Sequence, residues 1–210
     1  MIALQKDGGF WQVTLNRTGK ANALNKAMLT ELLGIVQRAN GSATVLAITG
    51  SGKVFSAGAD LVEVGEGLAT DDIWEELSLA IATLPCLTIA ALNGALAGGA
   101  FGIALACDLR ICVEDAKMFY PALRLGVLPQ PSDPQRLQQL VGPSRAKMIL
   151  VAGQTIDAKT ALDWGLVDAV VPNSELQKKT RELSQAALQA KAGHAAKVKQ
   201  MFAPAQGPKN

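Results

Sequence analysis

The chain of 210 residues carries a formal net charge of +2, and 49% of its residues are hydrophobic while 18% are charged. This composition is typical of a globular domain with a substantial core and excludes a largely disordered chain. So small a net charge argues against a surface that binds nucleic acid or an anionic membrane.

The first 92 residues predict strands and helices in alternation. Residues 2–17 read as two strands joined by a tight turn at Asp7-Gly8-Gly9. Asn25 is placed to cap a helix that runs to residue 39. Three further apolar or amphipathic segments continue the alternation: a buried strand at 44–50, a helix at 71–84 and a strand at 86–92.

Residues 93–110, NGALAGGAFGIALACDLR, overlap a run without charge that extends from Cys86 to Cys107. Its part from Ile89 to Cys107 is about as long as the roughly 20 residues that a membrane span needs. Its residues are mostly Ala and Gly, which favour insertion weakly, and Asn93-Gly94 is a turn signal. We therefore expect a strand end, a glycine turn and a short buried helix instead of a membrane segment.

The second half predicts two short strands, several short helices and a helical end. Asp133-Pro134 has the pattern of a helix cap followed by proline at the first helical position. The predicted organisation is an α/β core over residues 1–172 and a helical C-terminal segment and tail over 173–210, in which 203–210 form a frayed tail.

The cysteines and the N-terminus predict the compartment. Cys86, Cys107 and Cys112 are odd in number and lack the spacing of a metal site, so we expect buried reduced thiols and no bound metal. The first residues lack the basic region and apolar block of a secretory signal, which makes a cytoplasmic location the expectation.

Several familiar catalytic motifs fail on inspection. In TGSGKVFSAG, a phosphate loop would need Gly and Ser or Thr where Ala47 and Val54 stand, and no GxGxxG follows a strand. The single histidine, His194, lies in the polar C-terminal segment, so a histidine-based hydrolase site is not expected.

Two glycine-containing turns, FSAGAD (55–60) and GALAGG (94–99), are the remaining candidates. Each follows a strand and precedes a helix, where backbone N–H groups are free and glycine lets a ligand approach closely. Two such N–H groups would bind an oxyanion. The spacing alone leaves open that these are ordinary tight turns.

Four segments in order, NRTGKANALN (16–25), GSGKVFSAGADL (50–61), IAALNGALAGG (89–99) and ACDLRI (106–111), resemble the crotonase family of enoyl-CoA hydratases and isomerases. The similarity continues through 124–142 and 158–172. It implies an α/β fold, a crotonase-like spiral of ββα repeats, here with a shortened helical C-terminal region, assembled as a homotrimer or hexamer.

The resemblance also implies an acyl-CoA thioester as substrate, with coenzyme A as part of that substrate and no separate cofactor. The thioester oxygen would be held by the backbone amides of Ala59 and Gly99, with Gly98 in the same pocket. The positions that would contact CoA are Lys20, Ala21, Ala23, Ala57, Ala59, Asp60 and Leu61. Asp60 and Asp108 match family aspartates with a structural role.

One departure from the family is chemical. The two glutamates of the hydratases fall at Gly102 and Ala122, which still line the expected pocket but cannot move a proton. Tyr120 and Asp133 are possible substitutes, although Asp133 is better explained as a helix cap. Further possible substitutes are Glu63, Glu66, Arg124 and Gln130.

The sequence therefore predicts an acyl-CoA enzyme that stabilises a thioester enolate or oxyanion, with hydration unfavoured. Decarboxylation or thioester hydrolysis fits the residues better, because these reactions depend on the oxyanion site more than on two carboxylates. A catalytically silent acyl-CoA-binding protein is the alternative.

Overall fold

The structure, a computed structural model, describes residues 1–202. Its strands form a six-stranded sheet with the order β1-β2-β3-β5-β7-β10 and a four-stranded sheet with the order β4-β6-β8-β9. The strand bounds are β1 Ile2–Asp7, β2 Phe10–Leu15, β3 Val45–Gly50, β4 Val54–Ser56, β5 Leu87–Leu92, β6 Ala95–Ala97, β7 Leu109–Val113, β8 Lys117–Phe119, β9 Ile156–Asp157 and β10 Ala169–Val171.

The helices follow pairs of strands and cover the sheets. Their bounds are α1 Lys26–Ala39, α2 Leu61–Gly65, α3 Ile73–Ala82, α4 Ala100–Ala106, α5 Ala122–Leu125, α6 Asp133–Val141, α7 Pro143–Leu150, α8 Ala158–Trp164, α9 Leu176–Gln189 and α10 His194–Gln200. No helix among residues 1–202 combines the length and the apolarity that crossing a bilayer requires.

A ββα unit repeats along the chain, as predicted. In each of the pairs β3–β4, β5–β6 and β7–β8, the first strand joins the larger sheet and the second joins the smaller one. Helices then follow each pair before the next strand of the larger sheet. The strands β4, β6 and β8 consequently lie side by side and parallel, and the turns that follow them meet at one edge.

Local signals in the sequence are confirmed at several elements. β1 and β2 pair antiparallel from Ile2↔Leu15 to Asp7↔Phe10 around Gly8-Gly9. The side chain of Asn25 accepts from the Met28 amide at 3.0 Å and begins α1. Cys86, Cys107 and Cys112 are free and buried, and burial raises the pKa of each thiol, to about 11 for Cys86.

Two expectations need correction. The charged C-terminal segment is divided into α9 and α10 by a turn in which Gly193 has φ +72°, whereas one continuous helical region was expected; residues 203–210 lie outside the described residues. Asp133 is not a helix cap: Ser132 precedes α6, and Asp133 is its first residue with its side chain fully buried.

Candidate active site

Two glycine turns lie against each other where the neighbouring strands β4 and β6 end. Gly58 has φ +93° and Gly98 has φ +51°, a backbone region that side chains strongly disfavour. A Cβ on Gly58 would lie 2.8 Å from the Ala97 carbonyl oxygen. The close approach of the two backbones thus requires glycine at this contact, and it fixes where the next residue of each turn lies.

The residues after these glycines are Ala59 and Gly99. Neither backbone amide donates a hydrogen bond to an acceptor among residues 1–202, although the amides around them do: Asp60 N donates to Leu24 O at 2.8 Å and Gly98 N to Phe119 O at 3.1 Å. Unpaired amides in a partly buried turn are uncommon and need an acceptor. Both residues line the same cavity.

The cavity is small, about 60 Å³, and mostly apolar. Besides the two turns, its wall is formed by residues of α2 and α3, of the turn between them, and of the segment 120–130 that contains α5: Leu61, Val64, Ala69, Trp74, Tyr120, Pro121, Ala122, Leu125, Val127, Leu128 and Gln130. Tyr120 is the one side chain with an ionisable group among the cavity's lining residues within the described chain. The cavity can therefore bind an anion through backbone amides, but offers no carboxylate at its surface.

The segment before α1 packs against the first turn, although of the residues predicted to contact CoA only Ala57, Ala59 and Leu61 line the cavity itself. Asn22 is fully buried, and its side-chain amide donates to the carbonyls of Ser51 at 2.9 Å and Val54 at 2.8 Å. The Ala57 amide donates to Ala21 O at 3.0 Å. These bonds hold Ala21 next to Ala57, while the side chains of Lys20 and Ala21 stay exposed.

Asp60 has a structural environment. Its side chain accepts from the Val62 amide at 3.0 Å, which caps α2, and it forms an ion pair with Arg17. The hydrogen bond from Arg17 lowers the pKa of Asp60. Arg17 also donates to Ala23 O at 3.0 Å, so the pair fastens the loop of residues 17–24 to the turn. Leu61, next along, is 64% exposed and lies at the mouth of the cavity.

The two positions at which the resemblance places glutamates differ in their surroundings. Ala122, at the start of α5, is buried and lines the cavity. Gly102 lies inside α4 and does not line it; a Cβ there would meet the carboxyl group of Asp133, with Oδ1 at 3.0 Å. The expectation that Gly102 lines the pocket is therefore wrong, because the position that its side chain would take faces the Asp133 carboxyl group.

Tyr120 and Asp133 are brought together. The Tyr120 hydroxyl donates to Asp133 Oδ2 at 2.8 Å, and it accepts from the Gln130 amide at 3.3 Å. Asp133 Oδ1 is buried and has no hydrogen-bond partner among the described residues. Burial raises the pKa of Asp133 to about 7, against the opposing effect of the hydrogen bond from Tyr120.

The other possible proton carriers lie apart from the cavity or in other contacts. Glu63 accepts from the Lys26 amide at 2.7 Å, and Glu66 is exposed. Arg124 lines a different depression, beside α7. Gln130 does line the cavity, and its side-chain amide donates to Ala69 O at 3.0 Å.

Trp74 is a residue of the site that sequence reasoning missed. Its ring lies against Gly99, where a Cβ would come within 3.0 Å of Cη2, and its Nε1 donates to Leu68 O at 2.8 Å. The pattern of α3 shows Trp74 as one apolar residue among several on a buried face, so the sequence contains no signal that separates it from the core.

A larger apolar groove of about 680 Å³ lies elsewhere, between α9, α10 and the ends of β5 and β7. Asp108 in its wall accepts from the Thr88 amide at 2.8 Å and from Lys199 Nζ at 2.7 Å, and His194 also lines it. Neither glycine turn lines this groove, so it does not contain the amides of Ala59 and Gly99.

Comparison with known proteins shows what this chain is similar to. Residues 5–208 match the family described as "Enoyl-CoA hydratase/isomerase". The chain is 36% identical over 195 residues to the short-chain-enoyl-CoA hydratase of Clostridium acetobutylicum, covering 87% of this chain and 73% of that protein. A Thermobifida fusca protein of the hydratase type, solved in complex with CoA, superimposes with a TM-score of 0.87 at 30% identity, covering 95% of this chain and 83% of that one. The same T. fusca protein in complex with acetoacetyl-CoA also gives 0.87.

Proposed function

The chain belongs to the enoyl-CoA hydratase/isomerase (crotonase) family, and on this premise we propose that it binds an acyl-CoA thioester and stabilises the enolate oxygen with the backbone amides of Ala59 and Gly99. The observation that carries the proposal is a pair of amides, on adjacent glycine turns that open into one cavity, that have no acceptor among residues 1–202. Preorganised donors of this kind stabilise the charge that develops in a transition state, and removing one typically lowers kcat about 100- to 1000-fold.

The complexes of the T. fusca relative with CoA and acetoacetyl-CoA support the choice of ligand. In this chain CoA would follow the rim formed by Lys20, Ala21 and Ala23, which the buried Asn22 holds beside Ala57. The thioester would then enter between Ala59 and Gly99. Coenzyme A is in this proposal part of the substrate.

The cavity favours a short acyl group. A volume of about 60 Å³ is closed on the inner side by Trp74, and a single water needs about 10–15 Å³ of such a volume. There is space for a few non-hydrogen atoms beyond the thioester, which corresponds to an acyl group of about two to four carbons. Longer chains would have to displace the buried indole.

The reaction that fits these residues is one that needs enolate stabilisation without two carboxylates in the cavity wall. Hydration of a double bond requires a base for water and an acid for the α-carbon. The corresponding positions are Gly102 and Ala122, so we propose that hydration is slow. Loss of carbon dioxide from an α-carboxyacyl thioester, one of the malonyl type, leaves the electron pair of the broken carbon–carbon bond in the enolate, which afterwards needs one proton.

A second function is favoured by the apolar wall of the cavity, in which Tyr120 is the single ionisable lining residue among the described ones. A protein that binds acyl-CoA without converting it would show this lining. In that case the free amides serve recognition of the thioester and the binding energy is not used for a transition state.

Calorimetry and product analysis together test these proposals. The protein is titrated with CoA, butyryl-CoA and octanoyl-CoA, and incubated with crotonyl-CoA and with 2-methylmalonyl-CoA, followed by mass spectrometry. We expect binding that is tighter for butyryl-CoA than for octanoyl-CoA, consumption of 2-methylmalonyl-CoA and little hydration of crotonyl-CoA. Binding without consumption of either thioester would favour the silent protein. Absence of binding would contradict the acyl-CoA site itself, and crotonyl-CoA hydration at about 10 per second or faster would contradict the inferred loss of hydratase chemistry.

A further inference from the structure

Asp133 is an acid that the fold leaves without an ordinary role. It is fully buried at the first position of α6 and makes no capping bond. Its nearest cation, Arg136, donates to the Ser78 hydroxyl instead. Buried carboxyl groups are normally paired on both oxygens or paired with a cation. Asp133 has one partner, Tyr120, and an Oδ1 that is unpartnered within the described chain.

The carboxyl group stands beside α4 in the space that a side chain at position 102 would need. Because Gly102 has no Cβ, Asp133 Oδ1 can approach to 3.0 Å from where that Cβ would be. The resemblance assigns position 102 to a catalytic glutamate of the hydratases. An acid from α6 thus occupies volume that a side chain at position 102 of α4 would fill.

Tyr120 connects this acid to the cavity. Its side chain lines the cavity together with Ala59 and Gly99, and its hydroxyl binds Asp133 Oδ2 at 2.8 Å. The Phe101 ring packs on it with a centroid distance of 5.4 Å, which fixes its orientation. Burial raises the pKa of Tyr120 above its usual value, so the hydroxyl keeps its proton until a reaction draws on it.

We propose that Tyr120 and Asp133 form a proton relay that protonates the α-carbon of the enolate held by Ala59 and Gly99. The inference rests on the proposed function. When carbon dioxide leaves, the broken carbon–carbon bond supplies the electron pair of the enolate. The α-carbon takes the proton of the Tyr120 hydroxyl, and the proton on Asp133 moves to the Tyr120 oxygen. Asp133 is left as a carboxylate and regains a proton from water through Tyr120 after the product leaves.

Tyr120 would touch the reacting carbon and is the catalytic residue, whereas Asp133 acts through it. The bond between them serves both protonation states: ionised Asp133 accepts from Tyr120, and protonated Asp133 donates to it. The charged groups facing Asp133 are Glu75 from α3, which opposes its ionisation, and Arg136 from α6, which favours it. α4 contributes no ionisable side chain to this contact.

The test is decarboxylation of 2-methylmalonyl-CoA in deuterium oxide by the full chain, with the configuration of the deuterated propionyl-CoA determined. The wild type should give one configuration, and its rate should fall as the pH rises through about 7 because the relay starts from protonated Asp133. Tyr120→Phe and Asp133→Asn should each lower the rate about 100-fold or more. Both should give racemic deuterated product, and neither should change the affinity for CoA. The rate of Asp133→Asn should lose its pH dependence near 7.

Asp115→Asn, which removes an exposed carboxyl group in the turn after β7, is the matched control and should behave as the wild type. Unchanged rate and configuration in both relay variants would overturn the relay and leave the acyl-CoA enzyme standing. Binding of the probe without consumption by the wild type would overturn the relay together with the enzymatic part of the proposed function. Failure to bind CoA would overturn the acyl-CoA site, and calorimetry distinguishes these cases.

Discussion

Asp133 and Gly102 share one volume: the carboxyl group of the first lies 3.0 Å from the position of a Cβ on the second. The two residues belong to helices that are 26 residues apart at their nearest ends, α4 ending at Ala106 and α6 beginning at Asp133. Substitutions at either position should therefore depend on the residue at the other, since contacting sites are not additive.

Gly102→Ala measures this dependence. In the wild type the added methyl group meets the Asp133 carboxyl group, and we expect a loss of about 1–3 kcal/mol in the free energy of unfolding. In an Asp133→Ala background the contact is absent, and alanine in a helix interior should stabilise by up to about 1 kcal/mol. Urea unfolding of the four proteins gives the coupling energy. Equal effects of Gly102→Ala in both backgrounds would contradict the shared volume.

Gly99→Pro and Gly99→Ala separate the amide of Gly99 from its small size. Both add a Cβ that presses on Trp74, but proline alone removes the N–H. Turnover of 2-methylmalonyl-CoA should be about 100-fold or more lower in Gly99→Pro than in Gly99→Ala. CoA affinity, measured by calorimetry, should be similar in the two. Similar turnover in two folded variants would rule out the Gly99 amide as an oxyanion donor.

Trp74→Leu should lengthen the acyl group that the cavity accepts. Removal of the indole opens the cavity wall beside Gly99, so the affinity for octanoyl-CoA relative to butyryl-CoA should rise about tenfold or more. A change of this size corresponds to the roughly 1–3 kcal/mol that one altered apolar contact in a pocket contributes. The loss of buried contacts should cost about 2–4 kcal/mol of stability. Trp164→Leu, on α8 and outside the cavity wall, is the control. A ratio that moves equally in both variants would contradict the assignment.

Asp133→Asn should remove a loss of stability that the wild type suffers as the pH rises. Burial raises the pKa of folded Asp133 from 3.8 to about 7, so the folded state binds its proton more tightly than the unfolded state. The contribution of Asp133 to stability is therefore greatest below pH 4 and is lost as the pH rises to about 7, by up to about 4 kcal/mol. The midpoints of urea unfolding should be measured at pH 4.5, 6 and 8. From the lowest to the highest pH, the midpoint of the wild type should fall relative to that of Asp133→Asn. A constant difference across these pH values would contradict burial of an ionising carboxyl group.

Asn22→Gly and Asn22→Ala test the loop at the CoA rim. Both lose the two bonds from the side-chain amide to Ser51 and Val54, which should cost about 2–4 kcal/mol and weaken CoA binding. Asn22 has φ +54°, so alanine should be about 1 kcal/mol less stable than glycine. Thermal unfolding and calorimetry measure both effects. CoA affinity that survives in folded variants would show that the loop does not hold the nucleotide.

Elements with local signals could be predicted from the sequence. The hairpin at Gly8-Gly9 and the cap at Asn25 depend on residues close in sequence, and both are present as expected. The strands β4 and β6 were missed because each has three residues and no alternating pattern of its own. Their pairing, between Val54 and Ala95, is long-range, and no periodicity reveals it.

The candidate site shows the same division. The glycine turns were recognisable because positive φ at Gly58 and Gly98 demands a particular residue type. The environment of Asp133 was not, since Asp before Pro134 is a cap pattern locally and the contact with Gly102 exists only after α4 and α6 pack. The contact of Trp74 with Gly99 could not be predicted either, because an apolar helix face indicates that a residue is buried but not which residue it packs against.

The proposal that the backbone amides of Ala59 and Gly99 hold the thioester has a consequence for how the protein would respond to pH. A backbone amide keeps its hydrogen at every pH at which proteins are folded. The Asp133 carboxyl group, hydrogen-bonded to Tyr120, has its pKa raised by burial to about 7 and so changes its charge near neutral pH. Binding of the thioester would thus depend on amides that do not titrate, whereas its conversion would depend on Asp133, which does. On these two proposals, raising the pH above about 7 leaves acyl-CoA binding intact but stops its conversion. The same chain would then be an enzyme at lower pH and an acyl-CoA-binding protein at higher pH.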